Sequence, residues 1–436
     1  MGTTLSNTST IGSNSNVKYS EFLTEWLILL ICFGYPIQAM IPVLLKVDST
    51  PINLSFRVVY LCVSLYLIIH RKVRNIKISM FVFMLFWMVY SYRIISDISF
   101  KGKVFLNTDA FYVYSFAFGM CLIPTISIFL NSKFIYLPRI TKNLFWVLLI
   151  ANVCIITNLL LFSTDGIFSM FLTRAYANVE INGETVQIIN PITIGQFGEL
   201  LSLLSIFFLL FKNESKIVFP KYILLMSLFI GVINLILGAS RGPLLFFVIL
   251  LFYIIFFFFK YKNLSINFLG KFLFYILIFI SFFSFFINTY LSDIDFEIVN
   301  RLNVSLESTQ EGQKEDRDYI WASAWRQFTD NPIFGDSFVA DYEESTMKAH
   351  TYAHNLFLDV LMSTGLTGIT LIILLFFTTV NNFFKFNTEQ KKIVFPLWIA
   401  LLGYFLLSLT SGGVFLAYPL WIMVALICSI PQYANN

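Results

Sequence analysis

Runs of roughly twenty apolar residues recur along this chain, about twelve in all, each closed by a short polar break. Coiled as an α-helix rising about 1.5 Å per residue, such a run matches the hydrocarbon thickness of a bilayer, about 30 Å. The chain is therefore read as an all-α, polytopic membrane protein. Composition agrees: 58% of the 436 residues are hydrophobic and only 12% are charged, where soluble domains carry about a quarter charged. The net charge of +4 is small, and nothing points to nucleic acid. All five cysteines, Cys32, Cys62, Cys121, Cys154 and Cys428, sit inside apolar runs without a CxxC pair, so neither disulfides nor a metal site is expected.

The runs place helices near residues 22–45, 54–70, 77–95, 110–130, 143–163, 192–212, 219–238, 241–259 and 269–291, then 354–379, 393–410 and 412–430. Nine spans thus fill 22–291, a long loop follows over 292–353, and three spans fill 354–430. Residues 1–21, rich in Ser, Thr and Asn with no apolar core, read as a disordered tail and not a cleavable signal, and 431–436 form a second tail. Basic residues collect in alternate breaks, around Arg71 to Lys77, Lys133 to Lys142, Lys212 to Lys221, Lys260 to Lys271 and Lys385 to Lys392. The positive-inside rule puts those breaks, and both termini, in the cytoplasm. The long loop holds thirteen acidic residues against five basic ones and is expected outside. Arg174, Arg241 and His354 then all fall on the outer face.

Each of these has two readings. Arg241 opens a helix after the turn Gly238-Ala239-Ser240, where free backbone N–H groups and a planar guanidinium both suit a phosphate. Alternatively it snorkels to the interface or pairs with the intramembrane Glu199. Arg174, in a polar stretch before the sixth span, is either a second phosphate ligand or a solvated loop charge. His354 offers an imidazole able to take a proton near neutral pH, or merely caps the tenth helix. His350 and His354 are four apart without further ligands at usable spacing, which argues against zinc. Trp321 and Trp325, one helical turn apart, suggest an amphipathic helix resting on the membrane or over a cleft. The paired acids of the loop read as solvating charge.

Taken in order, Ser240-Arg241-Gly242, Arg317 with Trp321 and Trp325, Pro332 to Gly335, His354-Asn355 and Gly365-Leu366-Thr367-Gly368 resemble the O-antigen ligase and O-antigen polymerase superfamily over about residues 230 to 370. Ser337 stands where members often have a second loop glycine. The resemblance implies a metal-independent, inverting glycosyltransferase of the bacterial inner membrane, without cofactor, acting at the periplasmic face on an undecaprenyl-diphosphate-linked oligosaccharide. Membrane lipid and a chain-length regulator are the implied partners. It casts Arg241, Arg174 and Arg317 as diphosphate ligands and His354 as the group that orients or deprotonates the acceptor hydroxyl, with Asn355, Glu199, Trp321 and Trp325 in support. The Phe-rich composition favours a polymerase over a ligase that moves finished chains to lipid A core. A lipid-linked oligosaccharide flippase is the rival of another class, but it should show paired half-repeats and midplane charges. The few charges within or beside spans, Arg93, Asp97, Glu199 and Asp359, lie mostly near the outer end.

Overall fold

A computed structural model describes residues 9–70, 77–105, 108–131, 135–162, 177–181, 184–211, 217–262, 270, 316–344 and 347–431. The chain divides into two compact units, one built from Met1–Tyr35, Thr50–Val147 and Lys314–Asn436, the other from Pro36–Ser49 and Leu148–Gln313. In chain order the elements are α1 (Ser9–Phe33), α2 (Tyr35–Leu45), α3 (Ser49–Ile69), α4 (Ile78–Lys101), α5 (Ala110–Tyr114), a π-helical stretch (Ser115–Leu122), α6 (Ile123–Asn131) and α7 (Leu137–Phe162). The hairpin β1 (Ala177–Ile181) and β2 (Glu184–Ile189) precedes α8 (Pro191–Leu210), α9 (Lys221–Leu237) and α10 (Arg241–Lys262). Then come α11 (Asp316–Asp330), the hairpin β3 (Ala340–Glu344) and β4 (Met347–Thr351), α12 (Leu356–Lys385), α13 (Thr388–Ser411) and α14 (Tyr418–Ser429).

Eight described helices are long and apolar enough to cross a bilayer, nine if the pair α1 and α2 is one broken span. That break corrects the expected single run 22–45: the helix stops at Gly34, and Pro36, lacking an N–H donor, suits the first turn of a new one. Two of the expected spans are shorter apolar helices, Lys221–Leu237 and Tyr418–Ser429. The last was expected over 412–430. Its first residues instead form a turn in which the N–H groups of Leu416 and Ala417 donate to Gly413 O. The expected ninth span, 269–291, lies outside the described residues except for Gly270, as do residues 1–8 and 432–436 of the two tails; the rest of the first tail, expected to be disordered over 1–21, is instead helical from Ser9 as the start of α1. The expected outer loop 292–353 is described from 316, apart from 345 and 346, and there it is structured: α11 is the helix that the Trp321 and Trp325 spacing suggested, and the antiparallel hairpin after it was not announced by apolar periodicity.

In the first unit α14 is buried from Leu420 to Ser429. Aromatic rings close around it: Phe86 stacks on Tyr90 at 5.9 Å and meets Trp421 at 5.8 Å. In the second unit α8 and α9 lie backbone to backbone. A Cβ on Gly198 would stand 2.5 Å from Gly231 O and 2.4 Å from Leu235 N, so only glycine permits the approach, the usual device where apolar solvent offers helices no hydrophobic drive to associate. Polar side chains add to it, with Asn152 donating to Phe197 O at 3.0 Å and accepting from Asn234 at 2.7 Å.

Candidate functional site

The sequence-derived site residues fall into both units. Arg241 and Glu199 belong to the second, whereas Arg317, Trp321, Trp325, His354 and Asn355 belong to the first. Arg174 lies outside the described residues. In the second unit α9 ends at Gly238, which presses so closely on α8 that a Cβ would meet Pro191 O and Gly195 N at 2.7 Å. Ala239 turns the chain with a φ of +41°, and Arg241 becomes the first residue of α10, partly buried. There the positive end of the helix dipole reinforces the guanidinium's preference for an anion. The proposed pairing with Glu199 is not made: both Glu199 carboxylate oxygens are buried without a hydrogen-bond partner.

In the first unit His354 is held by its neighbours on every side. Asn355 is the N-cap of α12, its side chain accepting from Phe357 N at 3.0 Å and Leu358 N at 3.1 Å. The same amide donates to Leu409 O at 2.9 Å, fastening the cap to α13. Capping is thus the work of Asn355, and the imidazole of His354 is left for something else. Its backbone adopts a φ of +52°, a region histidine enters more readily than most residues but at a cost of about 1–3 kcal/mol that surrounding structure must offset. Two anchors do so. Trp321, on α11, donates its indole N–H to Ala353 O at 2.9 Å. Asp359, fully buried one turn into α12, accepts from Ala353 N at 3.2 Å and from Val414 N at 2.8 Å, tying the His354 segment to the Gly413 turn.

The imidazole lies against Tyr352, ring centroids 4.1 Å apart. Its Nδ1 is buried and has no hydrogen-bond partner. Burial, and secondarily the positive charge of Arg317, lower its pKa to about 4, while burial pushes the Tyr352 phenol up to about 12. At neutral pH both rings are therefore uncharged, with one imidazole nitrogen unspent. Arg317 is partly buried and makes no ion pair among the described residues. Trp325, by contrast, turns outward to meet Phe328 at 5.3 Å with the rings tilted by 57° and is half exposed. Of the two tryptophans only Trp321 reaches the histidine loop. Among the described residues no three His, Cys, Asp or Glu side chains gather as a metal site.

Below this loop the chain passes through an interlock that composition alone did not reveal. Gly365 interrupts α12 with φ +62° and ψ −154°, and the freed N–H groups of Leu366 and Thr367 donate to Pro332 O at 2.8 Å and Ile333 O at 3.1 Å. In return Asp336 N donates to Met362 O at 2.9 Å. Both crossing points are glycine, because a Cβ on Gly335 would lie 2.5 Å from the backbone of Ser363 and one on Gly365 2.5 Å from Pro332 O. Arg93 of α4 clamps the crossing, donating to Ser363 O at 3.0 Å, Asp336 O at 2.7 Å, Phe334 O at 3.0 Å and Gly335 O at 2.7 Å. One turn on, Asp97 accepts from Phe338 N at 2.9 Å and pairs with Lys101 at 3.0 Å. Sequence reading noted Arg93 and Asp97 as charges beside a span and assigned them nothing. Their i, i+4 spacing at the end of an apolar helix was the available signal.

None of the curated proteins matches this chain. Residues 225–373 match the family model described as O-antigen ligase, so the stretch holding Arg241, Arg317 and His354 is a domain of the O-antigen ligase and polymerase superfamily that the motifs resemble.

Proposed function

We propose, from that domain and from the unspent, strained histidine within it, that the chain transfers an oligosaccharide from a polyprenyl-diphosphate donor to an acceptor sugar. The observation that carries the reading is His354 itself, held by Trp321, Asn355 and Asp359 in a conformation that costs free energy while its Nδ1 is unpartnered. In the step, the acceptor hydroxyl oxygen bonds to the anomeric carbon, and the bond from that carbon to the phosphate oxygen breaks. The electron pair leaves on the diphosphate, and the hydroxyl proton passes to His354. A single displacement inverts the anomeric centre and needs no covalent intermediate.

An imidazole with a pKa near 4 is a weak base in the resting protein. Bound diphosphate supplies the correction, because an anion held by Arg317 offsets the positive field that contributes to the shift and makes the ring more basic when substrate is present. Arg241 and Arg174 are proposed as further phosphate ligands, and a guanidinium at a helix start, as that of Arg241 is, suits the work. No metal is required in this scheme. The basic breaks support an orientation that puts His354 on the periplasmic side of the inner membrane.

For the acceptor we favour a second lipid-linked repeat unit, which makes the protein a polymerase. The ligase reading, transfer of polymer to lipid A core, has the description of the matched domain in its favour. Deletion separates the two: core bearing a single repeat unit marks a lost polymerase, and bare core with accumulated lipid-linked polymer marks a lost ligase. Complementation with His354→Ala or Arg241→Ala should yield no polysaccharide ladder at unchanged membrane abundance. A normal ladder from either variant removes that residue from the mechanism.

A further inference from the structure

Arg57 is a second cation of the first unit that the scheme above leaves unused. It stands in α3 about 12 Å from the helix start, by a rise of about 1.5 Å per residue, and every other residue from Ile52 to Ile69 is uncharged. No carboxylate pairs with it among the described residues. Its Nη1 donates to Ser115 Oγ at 3.0 Å, and the guanidinium lies over the Phe116 ring, 3.8 Å from the centroid, with Tyr112 at 5.5 Å. Tyr35 and Tyr418 also feel its charge. One N–H of the fork is used and the rest are left over, an expensive state for a group at membrane depth unless something else binds there.

A second observation marks the same place. The helix opposite Arg57 is π-helical from Ser115 to Leu122, an irregularity that recurs at functional sites. Ser115 Oγ donates to Tyr112 O at 2.9 Å, which leaves its lone pairs for the guanidinium. From there an unbroken aromatic wall runs to the histidine. Phe116 meets Phe415 at 6.5 Å and Tyr418 at 6.1 Å, Phe415 stacks on Phe105 at 5.1 Å, Phe105 meets Tyr352 at 6.1 Å, and Tyr352 meets His354 at 4.1 Å. Arg57 and His354 are therefore joined by one continuous set of ring contacts within this unit.

We propose that Arg57, with Ser115 and the hydroxyls of Tyr35, Tyr112 and Tyr418, binds the diphosphate of a second polyprenyl-linked substrate, the acceptor. The proposal rests on the transferase reading and deepens it. In a polymerase both partners carry a polyprenyl diphosphate and only the donor's is broken off, so the one that persists needs a cation away from the reacting bond. An aromatic cage inside the bilayer suits such a headgroup, since the rings face isoprenoid chain while the guanidinium and hydroxyls face phosphate oxygens.

The full chain in phosphatidylcholine nanodiscs, titrated with farnesyl diphosphate and read by native mass spectrometry, should take up two equivalents. Arg57→Met, whose stem still covers Phe116, should lose one of them, weakened more than about tenfold by removal of charge-assisted hydrogen bonds. Arg57→Lys should fall between. Ser115→Ala, which keeps the charge, should bind a few-fold more weakly and serves if Arg57→Met does not fold. Arg241→Met should lose the other equivalent. Uptake by Arg57→Met equal to that of the unmodified chain overturns the proposal and leaves the transferase reading in place. Displacement of the Arg57-dependent equivalent by equimolar phosphatidylglycerol also overturns it, assigning the cage to an ordinary phospholipid. Loss in Arg57→Met without loss in Arg241→Met supports the cage and removes Arg241 from the donor site.

Discussion

Replacing Arg93 with leucine should unlock the crossing beneath the histidine loop. The four carbonyls that Arg93 serves do not suffer equally. Phe334 O is exposed and can take water, and Asp336 O keeps the Lys101 ammonium at 3.1 Å. Gly335 O and Ser363 O have no such substitute: Thr367 N, the ordinary helical partner of Ser363 O, already donates to Ile333 O. Two charge-assisted bonds at about 1.5–3 kcal/mol each give about 3–6 kcal/mol, and partial relaxation brings the expected loss to about 4 kcal/mol. Lysine offers a point charge without the planar fork, so Arg93→Lys should recover less than half of this. Reversible unfolding in mixed micelles of increasing dodecyl sulfate fraction measures the difference, and chymotrypsin cleavage at Phe334 and Phe338 reports the loop directly. A loss below about 1 kcal/mol in Arg93→Leu, with the loop still resistant, would refute the clamp.

Gly365→Ala should cost about 3 kcal/mol, from a left-handed residue that acquires a Cβ and a contact 2.5 Å from Pro332 O. Gly119→Ala, where a Cβ meets nothing within 4 Å, is the matched control in the same unfolding assay and should be neutral or stabilising. Asn355→Ala should lose about 1 kcal/mol of capping, and Asn355→Asp should restore the cap but not the bond to Leu409 O. The pH dependence tests Arg317. With its pKa lowered to about 4 in the free protein, His354 takes a proton there only as pH falls through that value, so kcat/KM for transfer should persist above about pH 4 and fail below it. Arg317→Ala removes the second cause of the shift and should move this acid limb upward, by less than the full distance to 6.5 because burial remains; an unmoved limb in the pH–rate profile would show the two groups to be uncoupled.

Much of the architecture was legible because bilayer thickness imposes one repeat length on any spanning helix. Most of the expected runs among the described residues are helices close to their expected bounds. The position of Arg241 at a helix start was legible too, since a glycine, a small turn and a proline punctuate the chain there. The exceptions share a cause. The run at 22–45 is broken and the run at 412–430 is helical only from Tyr418, because hydropathy averages over a window and does not register a break that a single Gly34 or Gly413 creates. The pairing offered for Arg241 is not made, since both Glu199 carboxylate oxygens are buried without a hydrogen-bond partner, and hydropathy does not report which groups a buried side chain reaches.

By itself the order of residues determined that this chain lives in a membrane, roughly where it crosses, and which cations and imidazole deserved scrutiny, since these follow from hydropathy, helix rise and the cost of charge in lipid. Only the tertiary structure decided what those groups do. That Asn355 caps while His354 is strained and unspent, that Arg93 holds four carbonyls 241 to 270 residues away in the chain, and that Arg57 sits in an aromatic cage with no carboxylate paired to it among the described residues are facts of hydrogen-bond partnership. Partnership depends on direction and distance at the scale of an ångström, and those are settled by which backbones approach one another and not by how far apart residues stand along the sequence.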